Sequence, residues 1–232
     1  MTTVNELLSI GILPVLLTLG AYQLGLFCQK KLRTPIANPI LIAVVIVVIF
    51  LSVTGMPTGD YIGSMDYISW LLTPATVCLA IPMYEHFQVL RRNLPAIVAG
   101  IAGGAVACLF MVLALCLLFG FDRALTISLL PKSVTSAIGA PLSQIYGGIA
   151  PITTAVIIVT GILASISGTL LCKLFRITDP VAQGIAFGTS GHVVGTAKAT
   201  ELGAVTGAAS SLALVVTGLL TALVFPLVSK LI

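Results

Sequence analysis

The sequence predicts an all-α polytopic membrane protein of about 6–8 membrane segments, two of them discontinuous or re-entrant helices with polar tips in a 57-residue internal repeat. Three observations predict it. Only 8% of the residues are charged and 58% are hydrophobic, against about 25% charged in a soluble domain. Charge-poor windows long enough to cross a bilayer recur along the chain. Two polar, helix-breaking stretches, 130–141 and 188–198, sit inside otherwise apolar sequence. The net charge of +4 is no nucleic-acid signal, because the basic residues cluster at the ends of apolar runs, where topology signals belong.

Leu7 to Gln29 is long enough for a first span and ends in Lys30, Lys31 and Arg33. Met1 to Glu6 lacks a basic n-region, and no small-residue cleavage site follows, so this reads as a first helix and not a cleaved signal. Thr34 to Gly59 holds the second span, with Asn38-Pro39 near its start and a β-branched run over 44–53. Here Asn38 is expected to satisfy carbonyls freed by the proline. Tyr67 to Leu90 reads as a third, interrupted at Thr73-Pro74 and at Pro82, followed by Arg91-Arg92. Pro74 is taken as a helix break and Thr76 as a secondary polar candidate. Leu94 to Gly120 is the cleanest span, with Gly100, Gly103 and Gly104 suited to close packing.

From Ser133 to Cys172 no charge occurs, which is too long for one span. The stretch divides at Tyr146-Gly147-Gly148 into a polar-tipped segment and a continuous helix from Pro151 to Leu171. The order then repeats, with Pro180 to Leu202 polar-tipped and Gly203 to Val228 continuous. A shift of 57 places lays Ser133 on Ser190, Thr135 on His192, and Val159-Thr160-Gly161 on Val216-Thr217-Gly218. A weaker echo lays Pro131 on Pro74. The whole chain reads as one integral membrane domain, 1–60 with two spans, 61–120 with a broken segment and a span, and 121–177 and 178–232 as the repeat.

The positive-inside rule places Lys30, Lys31, Arg33, Arg91, Arg92, Lys173 and Arg176 in the cytoplasm. An even number of crossings between Arg92 and Lys173 then favours a re-entrant hairpin from outside, with its tip near 131–135. A second hairpin would come from inside with its tip near 190–195. Two broken but fully crossing helices are the alternative, and they put the Lys173 loop outside, against the charge rule.

The first tip follows a residue, Pro131, that cannot donate a backbone hydrogen bond, and Gly139 and Pro141 are expected to weaken the next turn. Ser133 to Thr135 would then offer free N–H groups at a half-helix N-terminus, a natural carboxylate or phosphate site. Lys132 adds a full charge, and the hydroxyls of Ser133, Thr135 and Ser136 can orient a small oxygen-rich anion. On the plainer reading Lys132 snorkels and the hydroxyls cap a helix. The second tip carries no lysine and offers Thr189, Ser190, His192 and Thr196, with Gly188, Gly191 and Gly195 as breaks or close-approach points. His192 either carries a coupling proton or fixes the tip as a neutral donor and acceptor. Lys198 and Glu201 read as an intrahelical ion pair. The five cysteines, at 28, 78, 108, 116 and 172, stand singly in apolar sequence and read as small buried hydrophobes. No cofactor motif, metal-ligand spacing, nucleophile elbow or P-loop is present, so neither an enzyme nor a nucleotide-driven pump is expected.

Leu130 to Thr135 (LPKSVT) and Gly188 to Ala197 (GTSGHVVGTA) resemble the two hallmark motifs of the LrgB/YohK family. Asn38-Pro39-Ile40-Leu41, the stretch from Pro74 to Tyr84, and Ser210 to Val215 are also similar to it, so the resemblance covers essentially the whole chain. Ser136-Ala137 departs from the Thr-Pro common there. Bacterial members are described as antiholin-like or holin-like inner-membrane proteins that affect murein hydrolase export and lysis, usually beside a small LrgA-type membrane partner. Plant plastid members fuse both proteins in one chain and move glycolate and glycerate, and some bacterial members are linked to pyruvate uptake. The resemblance thus implies a carrier of small monocarboxylate anions, a holin-type oligomeric pore, or a subunit that is inert without its LrgA-type partner. A homo-oligomer in the bacterial inner membrane is expected on any of these.

Overall fold

The structure is a computed structural model that describes residues 12–32 and 38–232, apart from the side chains of Tyr67, Leu72, Thr73 and Thr76. Every described element is helical, and the chain divides into two compact units, one ending at Cys78 and one beginning at Leu79.

The N-terminal unit is built on α1 (Ile12–Leu32) and α2 (Pro39–Thr54). They touch backbone to backbone, since a Cβ at Gly25 would come 2.6 Å from the Pro39 carbonyl oxygen. Pro39 opens α2 at a position that needs no N–H donor. Asn38 caps it by accepting from the amides of Ile40 (2.9 Å) and Leu41 (3.3 Å). Its side-chain oxygen thus satisfies two of the amides that a helix N-terminus leaves free. Gly55, at φ +66, closes α2. The short helices α3 (Thr58–Gly63), α4 (Asp66–Trp70) and α5 (Leu72–Cys78) complete the unit.

The expected span Tyr67 to Leu90 is instead a series of short helices, α4 and α5 continuing into α6 (Ala80–Glu85) and α7 (Phe87–Arg92). Its bends fall between these helices, at Leu71, Leu79 and His86. The first two lie one turn before Pro74 and Pro82, each of which lacks the N–H that would bond the carbonyl four residues back, at Trp70 and Cys78, so the chain is interrupted at both prolines as expected.

In the C-terminal unit α8 (Leu94–Leu118), α11 (Ala150–Leu174) and α13 (Ala204–Val228) are 25 residues each. With α1 they are the four described helices long and apolar enough to cross a membrane. Ile97 and Ile101 pack on Ala208, Ala209 and Ala213, while Leu109, Val112 and Cys116 pack on Phe225 and Val228, so α8 and α13 run in the same direction. Exposed Phe110, Leu163, Leu219 and Leu223 line their outer faces, as lipid-facing helices require.

Between α8 and α11 the chain forms a hairpin of α9 (Arg123–Leu129) and α10 (Ser136–Ile145). Arg123 donates to the Ser229 carbonyl at 3.5 Å, and the Tyr146 ring lies 5.4 Å from that of Phe225, which puts both feet at the far end of α13. Ile138, just past the turn, abuts Gly218 near the middle of α13. Pro131 ends α9 as expected. Gly139 and Pro141 do not break α10, which runs through both. Gly139 is instead buried where a Cβ would come 2.6 Å from Ile157 Cδ1.

The second hairpin is α12 (Pro180–Leu202), which reverses at His192 (φ 42, ψ −132). On its first arm Gly184 abuts Thr206 and Ala209, and Gly188 abuts Ser210 and Ala213, in parallel with α13. On its second arm Thr196 bonds Ser210 and Thr200 abuts Gly207, in the opposite sense. Gly195 lies against the Phe187 carbonyl, although eight residues of straight helix would separate them by about 12 Å. The break is thus at histidine and not at Gly188, Gly191 or Gly195. Those glycines are buried contact points: Gly188 on α13, Gly195 on Phe187, and Gly191 where a Cβ would come 2.8 Å from Ala164.

Candidate functional site

Both turns lie near the middle of α13, reached from opposite ends of the unit. At the first, the Lys132 ammonium donates to Ser133 Oγ (3.2 Å) and to Cys108 Sγ (3.2 Å), and Cys108 Sγ lies 3.0 Å from Ser133 Oγ. The lysine is half-buried and Ser133 is buried. The salt bridge found among the described residues is Lys198–Glu201 at 2.7 Å, as expected from their spacing, and it leaves the Lys132 charge without a carboxylate. Thr135 is the N-cap residue of α10 but its side chain caps nothing, and Ser136 is the first helical residue. Both are half-buried. Of the amides at this turn, that of Val134, expected to be free, donates to the Pro131 carbonyl (3.3 Å), and that of Ile138 donates to the Thr135 carbonyl (3.0 Å). Ala137 stands second in the helix, where proline is equally at home, so the departure from Thr-Pro does not alter the break.

At the second turn the hydroxyls are engaged by their own backbone. Thr189 donates to the Ile185 carbonyl (2.7 Å), Ser190 to that of Ala186 (2.6 Å) and Thr196 to that of His192 (2.8 Å). Thr196 Oγ1 also lies 2.9 Å from Ser210 Oγ. A non-glycine residue at positive φ stores strain, and here packing holds it. His192 Nε2 is 2.8 Å from the Ile157 carbonyl, which can only accept, so the ring carries its proton on Nε2. The ring also fills the space beside Gly161, where a Cβ would come 2.5 Å from Cε1.

A cavity of about 760 Å³ joins the two regions. Asn93, Ala96, Gly100, Gly104 and Cys108 line one wall along α8; Asp179, Ala182, Ile185, Ala186, Thr189 and Ser190 are on the opposite wall, the first arm of α12. Cys108 belongs both to this wall and to the cluster with Lys132. Thr189 and Ser190 line this cavity directly, Lys132 and Ser133 meet it through Cys108, and Thr196 is buried in the contact with α13. Asn38 caps a helix of the N-terminal unit, and the Thr76 side chain lies outside the described residues.

Two contributors went unread in the sequence. Cys108 does not behave as the small buried hydrophobe expected of every cysteine; Cys116 and Cys172 do, each buried in a core cluster, while Cys78 is exposed. Thr217 Oγ1 is the buried side-chain polar atom without a hydrogen-bond partner among the described residues, a state that costs about 1–3 kcal/mol. It stands on α13 between Ser210, which meets the second hairpin, and Gly218, which meets the first.

The family model for the LrgB-like family matches residues 18–231. The chain belongs to the LrgB-like family. Both hairpin turns fall inside the matched region, as do the four long apolar helices for all but the first six residues of α1. This LrgB-like chain is accordingly a membrane protein. No solved structure matches it.

Proposed function

We propose that this LrgB-like protein is a carrier of small monocarboxylate anions, such as glycolate, glycerate or pyruvate, in the bacterial inner membrane. The observation that carries the reading is the Lys132 ammonium, placed at a turn near the middle of α13 with a hydroxyl and a thiol as neighbours and no carboxylate within 4.0 Å among the described residues. A cation held there in a membrane is costly unless it meets an anion or water. One positive charge, with Ser133 beside it and the N-terminus of α10 nearby, suits a single carboxylate. The hydroxyls of Ser133, Thr135 and Ser136 supply contacts for a 2-hydroxy or 2-oxo group, and Thr189 and Ser190 line the cavity that Cys108 shares with the Lys132 cluster.

The arrangement supports an inverted repeat. Asp122 and Asp179 stand 57 positions apart (179 minus 122), and each caps its hairpin by accepting from the amide three residues on, Leu125 at 3.1 Å and Ala182 at 2.8 Å. Gly161 receives the second turn and Gly218, again 57 positions on (218 minus 161), receives the first. On this reading both hairpins are re-entrant, from opposite membrane faces, which is a transporter geometry. Arg91, Arg92, Lys173 and Arg176 mark the cytoplasmic face, toward which the cavity opens. His192 serves as the fixed post of the second turn. A short-lived pore needs no such internal pairing of tips, which weighs against the holin-type reading.

The test is uptake of labelled glycolate and pyruvate into liposomes containing the purified protein, with and without an LrgA-type partner. Saturable uptake that Lys132→Ala abolishes supports a carrier, and uptake seen only when the partner is present supports a carrier of two subunits. Leakage of unrelated solutes, without saturation, overturns the reading in favour of a pore.

A further inference from the structure

The cavity between α8 and the first arm of α12 has a chemical gradient along it. Its outer lining, at Asn93 and Asp179, adjoins the exposed basic residues Arg91, Arg92, Lys173 and Arg176 in sequence. The Asp179 carboxylate is the acidic group on the lining, and it is committed to capping α12. Further in, the α8 wall is made of small residues, Ala96, Gly100 and Gly104, with Gly100 opposite Ile185 and Gly104 opposite Thr189. Fifteen helical residues separate Asn93 from Cys108 (108 minus 93), roughly 22 Å. The inner end is Cys108, whose sulfur is 3.2 Å from the Lys132 ammonium and 3.0 Å from Ser133 Oγ.

We propose that this cavity is the anion's route from the basic end of the molecule to Lys132, and that Cys108 at its inner end is a modification site at which a small anionic thiol reagent closes the route. This rests on the carrier reading for the identity of the natural anion, but the route and the modification stand on the cavity and the cluster alone. A group added to Cys108 occupies the space in which Lys132 and Ser133 would hold a carboxylate. Small lining residues admit a reagent or substrate of a few heavy atoms. Even a Cβ at Gly104 would come 3.5 Å from Thr189 Oγ1, so bulk there narrows the passage directly.

The reagent is 2-sulfonatoethyl methanethiosulfonate. The Cys108 sulfur attacks the sulfenyl sulfur, a disulfide bond forms, the sulfur–sulfonyl bond breaks, methanesulfinate leaves with the electron pair, and the thiol proton passes to water. The full chain is labelled in oriented membrane vesicles of both senses, and adducts are assigned to individual cysteines by peptide mass. Cys108 is expected to react from the Arg91–Arg92 face, about ten-fold faster with the sulfonate than with the trimethylammonium analogue, and that preference is expected to vanish in Lys132→Gln. Gly104→Leu should slow labelling at least several-fold, and Cys108→Ser should abolish the adduct and any inhibition it causes. Faster reaction from the opposite face overturns the proposal, as does equal reactivity of the two reagents. So does an unreactive Cys108 in folded protein that labels fully once denatured. Charge-selective labelling that neither glycolate nor pyruvate slows, in a protein that moves neither, supports the route and overturns the carrier reading instead.

Discussion

The first hairpin turns at a proline and holds an ammonium group at its tip; the second turns at a histidine and holds no formal charge beyond the ring. In the first, Pro131 removes a backbone donor outright, and the Ser133 hydroxyl beside it meets Lys132 and Cys108 instead of a carbonyl of its own helix. In the second, the reversal depends on a strained φ that the Ile157 carbonyl and the notch at Gly161 maintain. Its hydroxyls at 189, 190 and 196 are spent on carbonyls of the preceding turn. On the proposed reading two segments of similar architecture divide the work, one meeting the anion and the other holding the site's shape.

Packing changes at the second hairpin should have the largest effect. Gly188→Leu places side-chain atoms against the Ser210 carbonyl backbone, which cannot retreat, and is expected to cost about 3 kcal/mol or more, read as loss of the thermal unfolding transition in detergent. Gly103→Ala, with open space around its Cβ, should leave that transition in place. Next in size is the chemical contrast. Lys132→Ala should lower saturable anion uptake by roughly 30- to 150-fold, as the loss of one charge-assisted contact of about 2–3 kcal/mol implies, with unfolding unchanged. An equal loss from Thr189→Val would erase the division between the tips.

His192→Gln should lower stability by about 2 kcal/mol, through lost ring packing, while the shape of the uptake–pH profile from about pH 5 to 8 stays that of the wild type. A flattened profile would make the second tip a proton carrier. Smallest is Ser133→Ala, for which a roughly 3- to 10-fold rise in the half-saturating substrate concentration is expected, since a neutral hydrogen bond contributes about 1 kcal/mol.

The long charge-poor windows were readable in the sequence because hydropathy over some twenty residues is a local property, and α8, α11 and α13 lie where those windows are. The Lys198–Glu201 pair and the break at Pro131 were readable for the same reason. What depends on neighbours was less legible. Gly188, Gly191 and Gly195 suggest either a break or a close approach, because a missing Cβ serves both, and the packing that decides for close approach is not local. Pro74 marks an interruption by residue type, and the chain breaks one turn before it. Asn38 stands at a helix start, as expected, and caps the amides that such an end leaves free. Cys108 could not be separated from the other cysteines, because its proximity to Lys132 is made by α8 lying against a hairpin 24 residues further along. Thr217 is marked in the sequence only by its match to Thr160 in the repeat; that its hydroxyl has no partner among the described residues depends on packing.

The most direct measurement is equilibrium binding of labelled glycolate to the purified protein in detergent, beside a dicarboxylate of similar size, in wild type and in Lys132→Gln. A single lysine without a carboxylate partner is expected to bind the monoanion saturably, to prefer it over the dianion, and to lose it in the variant. Binding of undiminished strength in Lys132→Gln would contradict the assignment of the anion to the first tip.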